Sequence, residues 1–335
     1  MNWFERLTGF TEDGYAATQS RLKVEGDELV STVNGKRYGI GEVTMPTLGE
    51  LRARVNPARG ERSSLSISAG DVGPMHADPA NEGALFQVAS QFNLLEMMDE
   101  HVTPERGVAG YAHDYTQGPT CAMAAGAGTI YRNYLVPVGN QIGQTADRQL
   151  DALSGVGEVL SDLIGLPVDE LWQMRNGYAL CTQRGLAAIS YLLDGAPEDL
   201  VDSVRETLAI GLHRNVEVTR ADAEGRRVSQ AYCSALPVSY GLRGGDWEPF
   251  GRLVLKAAYE ATLLAAVEQA AGGGSNKVLL TRLGGGAFGN EDTWINDAIG
   301  RAVEIVGDAG LDVSIVCYGH VDPAVKSIVD HWNDR

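Results

Sequence analysis

The fold is decided by residues 278–290, which read Val278-Leu-Leu-Thr-Arg-Leu-Gly-Gly-Gly-Ala-Phe-Gly-Asn290. The apolar first half predicts a buried strand, and the glycines predict a tight turn before a helix at 294–306. Glycine lets a ligand approach the main chain closely, and consecutive N–H groups in such a turn can hold an anion. We therefore predict a phosphate-binding turn, with a tight turn that binds no ligand as the alternative. The residues predicted to contact the ligand are Gly284, Gly285, Gly286, Ala287, Phe288, Gly289 and Asn290.

The segments around this turn alternate between helix and strand. Residues 247–270 have the periodicity of a long helix, and 311–318 read as a strand. Upstream, 65–70 and 84–90 also read as strands. Such alternation predicts helices packed on a largely parallel sheet. We therefore predict an α/β protein with three layers, α/β/α, around a mixed sheet.

Two further regions are predicted to extend this core. Residues 1–60 read as a small β-rich N-terminal extension, with a hairpin signal at Asn34-Gly35 and a capping box from Thr47 to Glu50. Residues 138–225 read as a helical insertion, because apolar residues recur there at helical spacing. The main α/β domain is then 61–335, interrupted by this insertion.

Composition excludes several classes of partner. The chain has 335 residues, with 27 basic and 44 acidic side chains and a formal net charge of −17. A nucleic-acid binder needs a basic surface, so a nucleic-acid partner is not expected. The sequence has no apolar stretch of membrane-spanning length and no secretory signal, which predicts no membrane partner and a cytoplasmic location. The four cysteines and the histidines do not cluster, so no metal site is expected.

Three shorter motifs are further candidates for ligand contacts. Residues 124–130 are small and open a helix, so their amides are candidates to face the same phosphates; close helix packing explains them equally well. Asp71-Val72 follows the first strand of the main domain, where it suits either an adenine contact or a turn cap. Gln91 and Asn93 follow the strand 84–90 and precede a short helix expected at 93–98. Besides contacting a ligand, Asn93 suits the N-cap position of that helix. The residues added to the predicted site are Asp71, Val72, Gln91, Asn93, Gly126, Ala127, Gly128 and Thr129.

Taken in order, these motifs resemble those of the macro domain family. The chain has a strand ending in Gly70-Asp71-Val72, a buried strand ending in Ser90-Gln91-Phe92-Asn93, and a small-residue loop opening a helix. Near the end, a helix with Tyr259 precedes the strand and the Gly286-Ala287-Phe288-Gly289 loop. The resemblance covers about residues 64–135 and 226–320, and it implies a macro-domain-like fold.

By this resemblance the ligand is ADP-ribose or a derivative, and no cofactor is required. Asp71 would face adenine, the loops at 126–129 and 284–289 would hold the diphosphate, and Asn93 and Phe288 would lie near the distal ribose. The implied partner is a small nucleotide or an ADP-ribosylated protein. Hydrolysis of an ADP-ribosyl bond would use a water positioned by Asn93. The alternatives are a reader module without turnover, an enzyme for another nucleotide, and an interaction protein with a degenerate pocket.

The sequence departs from the family pattern at the catalytic position. The first loop carries no acidic residue and no pair of glutamates follows it, so a general acid or base must come from elsewhere. Glu96, His113 and Asp114 are the nearby candidates. The aromatic, amide-rich segment 172–178 reads either as a lid over the pocket or as a helix end packed on the core.

Overall fold

The computed structural model describes residues 1–55, 60–223, 225–319 and 321–334. The predicted extension 1–60 therefore includes residues 56–59, which lie outside the described part. Within the described residues, no helix has the length and apolar character needed to cross a membrane.

The chain alternates between strands and helices throughout. The strands are β1 (Leu22–Glu25), β2 (Glu28–Ser31), β3 (Arg37–Gly39), β4 (Glu42–Thr44), β5 (Ser64–Ala69), β6 (Leu85–Ala89), β7 (Pro137–Val138), β8 (Gln141–Ile142), β9 (Trp172–Arg175), β10 (Tyr178–Cys181), β11 (Gly211–Glu217), β12 (Arg227–Cys233), β13 (Lys277–Leu280) and β14 (Asp312–Cys317). The α-helices are α1 (Trp3–Thr8), α2 (Tyr15–Ser20), α3 (Leu48–Arg54), α4 (Val72–Ala77), α5 (Gln117–Ala124), α6 (Gly126–Tyr134), α7 (Ser154–Ile164), α8 (Val168–Leu171), α9 (Gln183–Gly195), α10 (Glu198–Arg205), α11 (Glu248–Ala271), α12 (Asp292–Ile305) and α13 (Pro323–Asn333). Short 3₁₀ segments occupy Pro79–Asn81, Pro104–Arg106, Ala109–His113 and Val238–Tyr240.

Seven strands form the central sheet in the order β4-β11-β12-β6-β13-β14-β5. The five strands from β12 to β5 run parallel, while β11 and β4 pair antiparallel at one edge. The carboxyl ends of all five parallel strands therefore meet at one side of the sheet. Open α/β sheets bind their ligands at this side.

Helices cover both faces of the sheet. In β6, Leu85 packs with α11 and α12 on one face, while Phe86 and Val88 pack on the other face with residues of α4 and α5. This alternation of side chains matches the period of two in a strand buried on both faces. The predicted three-layer α/β/α architecture with a mixed sheet is confirmed.

The predicted N-terminal extension and the predicted insertion both contribute strands to the central sheet. The extension forms the antiparallel sheet β1-β2-β3, and Thr47 and Glu50 make the expected capping box. However, β4 pairs with the central sheet through β11, which itself lies inside the predicted insertion. The region 138–225 also contains the hairpin of β9 and β10. The description of 138–225 as a helical insertion is therefore corrected, because its strand β11 belongs to the main sheet.

Two local predictions differ from the structure near the carboxyl ends of the strands. Residues 93–98 are not helical, because Leu94 adopts φ 64° and the Gln91 side chain binds both main-chain groups of Met97. The segment predicted as a small-residue loop before residue 126 is instead helix α5, which begins at Gln117. Because of these two differences, the groups that lie at the carboxyl ends of the strands come from the turn at 93–98 and from α5, and not from the predicted helix and loop.

Candidate ligand-binding site

A cavity of about 440 Å³ lies at the carboxyl ends of the parallel strands. This volume falls in the usual range for small-molecule sites. Its walls come from the residues that follow β6, β13 and β14, from the end of β12, from the first turn of α5 and from β10. The strand topology therefore concentrates groups that are distant in sequence around one space.

Residues 284–288 of the glycine-rich turn after β13 form one wall of the cavity. Tyr259 on α11 anchors it: its hydroxyl accepts a hydrogen bond from Leu283 N (2.9 Å) and donates one to Thr281 O (2.7 Å). Within the described chain, the amides of Gly286, Ala287 and Phe288 donate to no protein acceptor. Three consecutive free N–H groups are what an anion-binding turn requires.

The end of the turn has a structural role. Gly289 N donates to Gly286 O, and Asn290 N donates to Gly284 O. The Asn290 amide donates to Leu236 O (2.8 Å). Neither Gly289 nor Asn290 lines the cavity. These two predicted contact residues therefore close the turn from behind.

The first turn of α5 forms the facing wall. Among the described residues, no acceptor is found for the amides of Gln117 and Gly118, so both are the unpaired donors expected at a helix start. Position 118 requires glycine, because a Cβ there would lie 2.6 Å from Glu96 Oε2 and would also collide with Ala89 O. Removing the side chain brings the helix start directly against the Glu96 carboxyl group.

Glu96 is the buried carboxyl group of the cavity. It lines the cavity, its residue is 4% exposed, and its Oε1 has no hydrogen-bond partner among the described residues. Burial raises the pKa of Glu96 well above its usual range; nearby Arg132 opposes this shift and Asp114 adds to it. An unpartnered buried carboxyl group is costly to the fold, and such groups are concentrated at functional sites. Of the three candidate acids or bases, Glu96 has this geometry.

The other two candidates differ from Glu96. Asp114 lines the cavity, but its Oδ1 accepts bonds from the Thr116 amide (2.9 Å) and hydroxyl (2.7 Å). His113 is exposed and does not line the cavity. Asp114 therefore contributes charge near the site while shaping the entry to α5.

The structure does not bring residues 126–129 to the cavity. Gly126, Ala127, Gly128 and Thr129 lie in the first half of α6 and are buried. A Cβ at Gly126 would meet Leu7 and Trp3, and one at Gly128 would meet His213 and Val216. The prediction of a phosphate loop here is corrected, because these residues are small where other elements pack against them. The first turn of α5 lines the cavity in place of residues 126–129.

Asp71 and Val72 lie beside the cavity at the start of α4. Asp71 is exposed, and its Oδ1 accepts the Gly73 amide (2.8 Å) as a helix cap. Val72 lines the cavity, but its amide donates to Gln117 Oε1 (2.9 Å). The Val72 side chain is thus available to a ligand, while the amides of Val72 and Gly73 are already bonded.

Gln91 and Asn93 are held by protein contacts. Gln91 lines the cavity, but its amide bonds to both main-chain groups of Met97. Asn93 is fully buried and does not line the cavity; its Nδ2 donates to Gln149 (2.7 Å), and its Oδ1 accepts the Leu95 amide (3.1 Å). The assignment of Asn93 as the residue that positions water is therefore corrected, because both its polar atoms have other partners.

Three aromatic side chains form one end of the cavity, and we call them the aromatic wall: Tyr178, Tyr240 and Phe288. Their ring centroids lie 5.3 Å (Tyr178–Tyr240), 5.3 Å (Tyr178–Phe288) and 5.7 Å (Tyr240–Phe288) apart. Sequence reasoning identified Phe288 but missed Tyr240. The segment 172–178 belongs to the hairpin of β9 and β10, which corrects its interpretation as a helix end. Trp172 packs on Phe250 in the core, and Tyr178 lines the cavity.

Three cysteine thiols also line the cavity. Burial, with the charges of Glu96 and Asp71, raises the pKa of the Cys121 thiol well above its usual value, and burial raises that of Cys233 to about 12. Cys317 lies 5% exposed at the end of β14, and burial raises its pKa as well. Thiols of this kind remain protonated at neutral pH, so they pack as small apolar groups.

No family model matches this sequence, and neither does any curated protein. Solved structures that match this chain include a poly(ADP-ribose) glycohydrolase from Thermomonospora curvata, at 12% identity and a TM-score of 0.46, covering 95% of this chain and 97% of that one. Another is the poly(ADP-ribose) glycohydrolase from Deinococcus radiodurans in complex with ADP-ribose, at 11% identity and a TM-score of 0.44, covering 96% and 97%. A macrodomain from Oceanobacillus iheyensis, with MES bound, is 9% identical with a TM-score of 0.34, covering 88% and 96%.

Proposed function

We propose that this cavity binds ADP-ribose or an ADP-ribosylated or NAD-derived molecule. The observation that carries the proposal is the row of free amides at Gly286, Ala287 and Phe288 on the wall of a cavity at the carboxyl edge of the sheet. Main-chain donors of this kind bind phosphate even in an acidic protein, because the electrostatics of a pocket are local. The diphosphate lies against this turn, and Val72 contributes apolar contact to the remainder of the ligand.

The distal ribose lies where Glu96 meets the start of α5. The free amide of Gly118 and the unpartnered Glu96 Oε1 place a donor and an acceptor beside each other. This pair suits a hydroxyl group or a water molecule, since either can accept one bond and donate another. Phe288 then packs against the sugar, as the sequence resemblance implies.

Gly286 offers a direct test of phosphate binding. A Cβ at this position meets no atom within 4 Å, so a side chain is accommodated without a clash. Gly286→Glu places a carboxylate beside the free amides, and we expect ADP-ribose binding by calorimetry to be lost. Gly286→Ala tests the effect of a side chain without charge and should bind within about threefold of the unaltered protein.

A second variant controls for the added charge. Gly195, at the end of α9, also has open space around it and does not line the cavity, so Gly195→Glu should leave ADP-ribose affinity unchanged. Unchanged affinity in Gly286→Glu would exclude the turn as the phosphate site. If the unaltered protein binds no ADP-ribose, the pocket is degenerate and the interaction role gains support.

The position of Glu96 favours a hydrolase over a reader module. A buried carboxyl group with a raised pKa, next to a helix start that can hold a water, is suited to exchange a proton with the reacting groups. We expect Glu96→Gln to lower the turnover of an ADP-ribosylated substrate by about 10²- to 10⁴-fold, the usual contribution of general acid–base catalysis. ADP-ribose affinity should be largely retained. Equal turnover in both proteins would remove Glu96 from catalysis, and no turnover in either would leave the reader function.

A further inference from the structure

Carboxyl groups also act on the end of the cavity formed by the aromatic wall, and one of them, Asp114, lines the cavity. Tyr240 lies half-buried within this wall. Burial raises the pKa of its hydroxyl, and the negative charges of Glu100, Asp114 and Asp99 raise it further. These carboxylates are therefore close enough to act on the ring electrostatically.

Positive side chains do not balance these charges at the cavity surface. Among the described lining residues, Arg282 is the one with a positive charge, and it is already paired with Asp292 (2.6 Å) and Asp322 (3.2 Å). Outside the lining, His101 lies beside Glu100 (3.3 Å) with its side chain largely exposed. Arg132 acts on Glu96 as well, but it is fully buried, donates to Leu94 O (3.1 Å) and Thr129 (3.0 Å) and does not line the cavity. Asp114, Asp99 and Glu100 therefore leave the aromatic end of the cavity with an excess of negative charge.

Glu96 provides an independent indication of a ligand at this end. It lines the cavity at 4% exposure, and its Oε1 has no partner among the described residues. A buried oxygen without a partner destabilises the fold, and a ligand group able to donate to it would offset this cost. Aromatic faces attract cations, and flat, weakly hydrated cations are best suited to stack on them.

We propose that the end of the cavity between the aromatic wall and Glu96 binds an organic cation carried by the distal ribose of the ligand. This inference rests on the proposed function and specifies its substrate class. Two sources share the chemistry: the pyridinium ring of oxidised nicotinamide adenine dinucleotide, and the guanidinium group of an ADP-ribosylated arginine. In either case the ligand places negative charge on the glycine turn and positive charge beside the carboxylates.

Two matched ligand pairs test this charge preference by calorimetry on the full chain. NAD⁺ and NADH have nearly the same shape, but the nicotinamide ring is charged only in NAD⁺. Peptides ADP-ribosylated on arginine and on serine provide the second pair. We expect the charged member of at least one pair to bind about five- to tenfold more tightly, as a stacked cation does. The pair that shows the preference identifies the source of the cation.

Variants of Tyr240 assign the preference to the aromatic wall. Tyr240→Leu removes the ring and should reduce the charge preference to less than about twofold, whereas Tyr240→Phe retains the ring and should preserve it. Circular dichroism verifies that both variants are folded. A preference that survives in Tyr240→Leu would overturn the assignment to the aromatic wall.

The outcomes separate this inference from the proposed function. If ADP-ribose binds but neither charged ligand exceeds its neutral counterpart, the cation site is refuted and the proposed function stands. If neither ADP-ribose nor any of the four ligands binds, both are refuted.

Discussion

Tyr259→Phe tests whether a single hydroxyl group holds the glycine-rich turn in its binding conformation. The Tyr259 side chain is fully buried on α11. Its hydroxyl accepts the Leu283 amide at 2.9 Å and donates to Thr281 O at 2.7 Å, so it clamps the chain where β13 leads into the turn. Phenylalanine fills the same space but loses both bonds.

The expected loss of stability depends on how buried each former hydrogen-bond partner of the Tyr259 hydroxyl is. The Leu283 amide is buried, so losing its acceptor costs about 1–3 kcal/mol. Thr281 O is only partly buried, and water can replace some of the lost bond, which leaves a cost of about 0.5–1.5 kcal/mol. The free energy of unfolding should therefore fall by about 1.5–4.5 kcal/mol. The affinity for ADP-ribose should fall as well, because the amides of the turn are no longer preorganised.

Urea unfolding followed by circular dichroism measures the stability change, and calorimetry measures the affinity. Tyr191→Phe is the matched control: its ring is 86% exposed, so the change should stay within about 0.5 kcal/mol. A loss below about 1 kcal/mol in Tyr259→Phe would refute the clamp. A full loss of stability with unaltered ADP-ribose affinity would show that the clamp supports the fold and not the binding turn.

Two other variants test buried groups near the site. The raised pKa of Glu96 means that the folded protein retains a proton that the unfolded chain releases as pH rises. Its contribution to stability is therefore present below the unfolded pKa and is lost as pH rises through the folded pKa. Glu96→Gln cannot ionise, so in thermal melts it should be more stable than the unaltered protein at pH 7, with a difference that shrinks toward pH 4. Gly128→Ala places a Cβ 2.5 Å from His213 Cε1 and 2.6 Å from Val216 Cγ2, so it should destabilise the protein by about 1–3 kcal/mol. The folded fraction should bind ADP-ribose normally. A specific loss of ADP-ribose affinity would return Gly128 to the binding site.

Local sequence patterns predicted the elements whose signals are local. The strand and glycine turn at 278–290, the capping box at Thr47 and the long helix α11 all appear where their patterns placed them. Each of these patterns acts through neighbours a few residues away, such as a cap bonded to an amide three positions on. The side of the sheet on which the cavity lies could also be predicted, because the topology alone places the carboxyl ends of the parallel strands together.

The small residues at 126–129 show why the facing wall was misplaced. A helix start that holds an anion and a helix packed closely against its neighbours both select glycine and alanine. What distinguishes them here is the approach of Leu7 and His213, which lie more than eighty residues away in sequence. No pattern within the segment carries that information, so the sequence did not reveal that the helix start at Gln117 lines the cavity.

The positions of Glu96 and Tyr240 in the cavity could not be predicted for the same reason, because they depend on contacts that local sequence patterns do not show. Periodicity favoured a helix at 93–98, but the Gln91 side chain captures the main chain of Met97, and the segment turns toward the cavity instead. Tyr240 belongs to a short 3₁₀ segment and acquires its role only by contact with Tyr178 and Phe288. Long-range contacts of this kind decide which polar group is left without a partner.

The distribution of charge in the cavity argues for one orientation of the ligand. Free main-chain donors lie on the turn at 286–288, while the carboxyl groups of Glu96 and Asp114 lie toward the other walls. A chain with a net charge of −17 would repel a polyanion from most of its surface, so binding of a diphosphate depends on the local donors of that turn. A ligand that extends beyond the turn then meets the negative charge of Asp114, which penalises a second anionic group and favours a neutral or cationic one. Under the proposed function, we therefore expect a terminal ADP-ribosyl group to bind more tightly than the interior of a highly charged polymer.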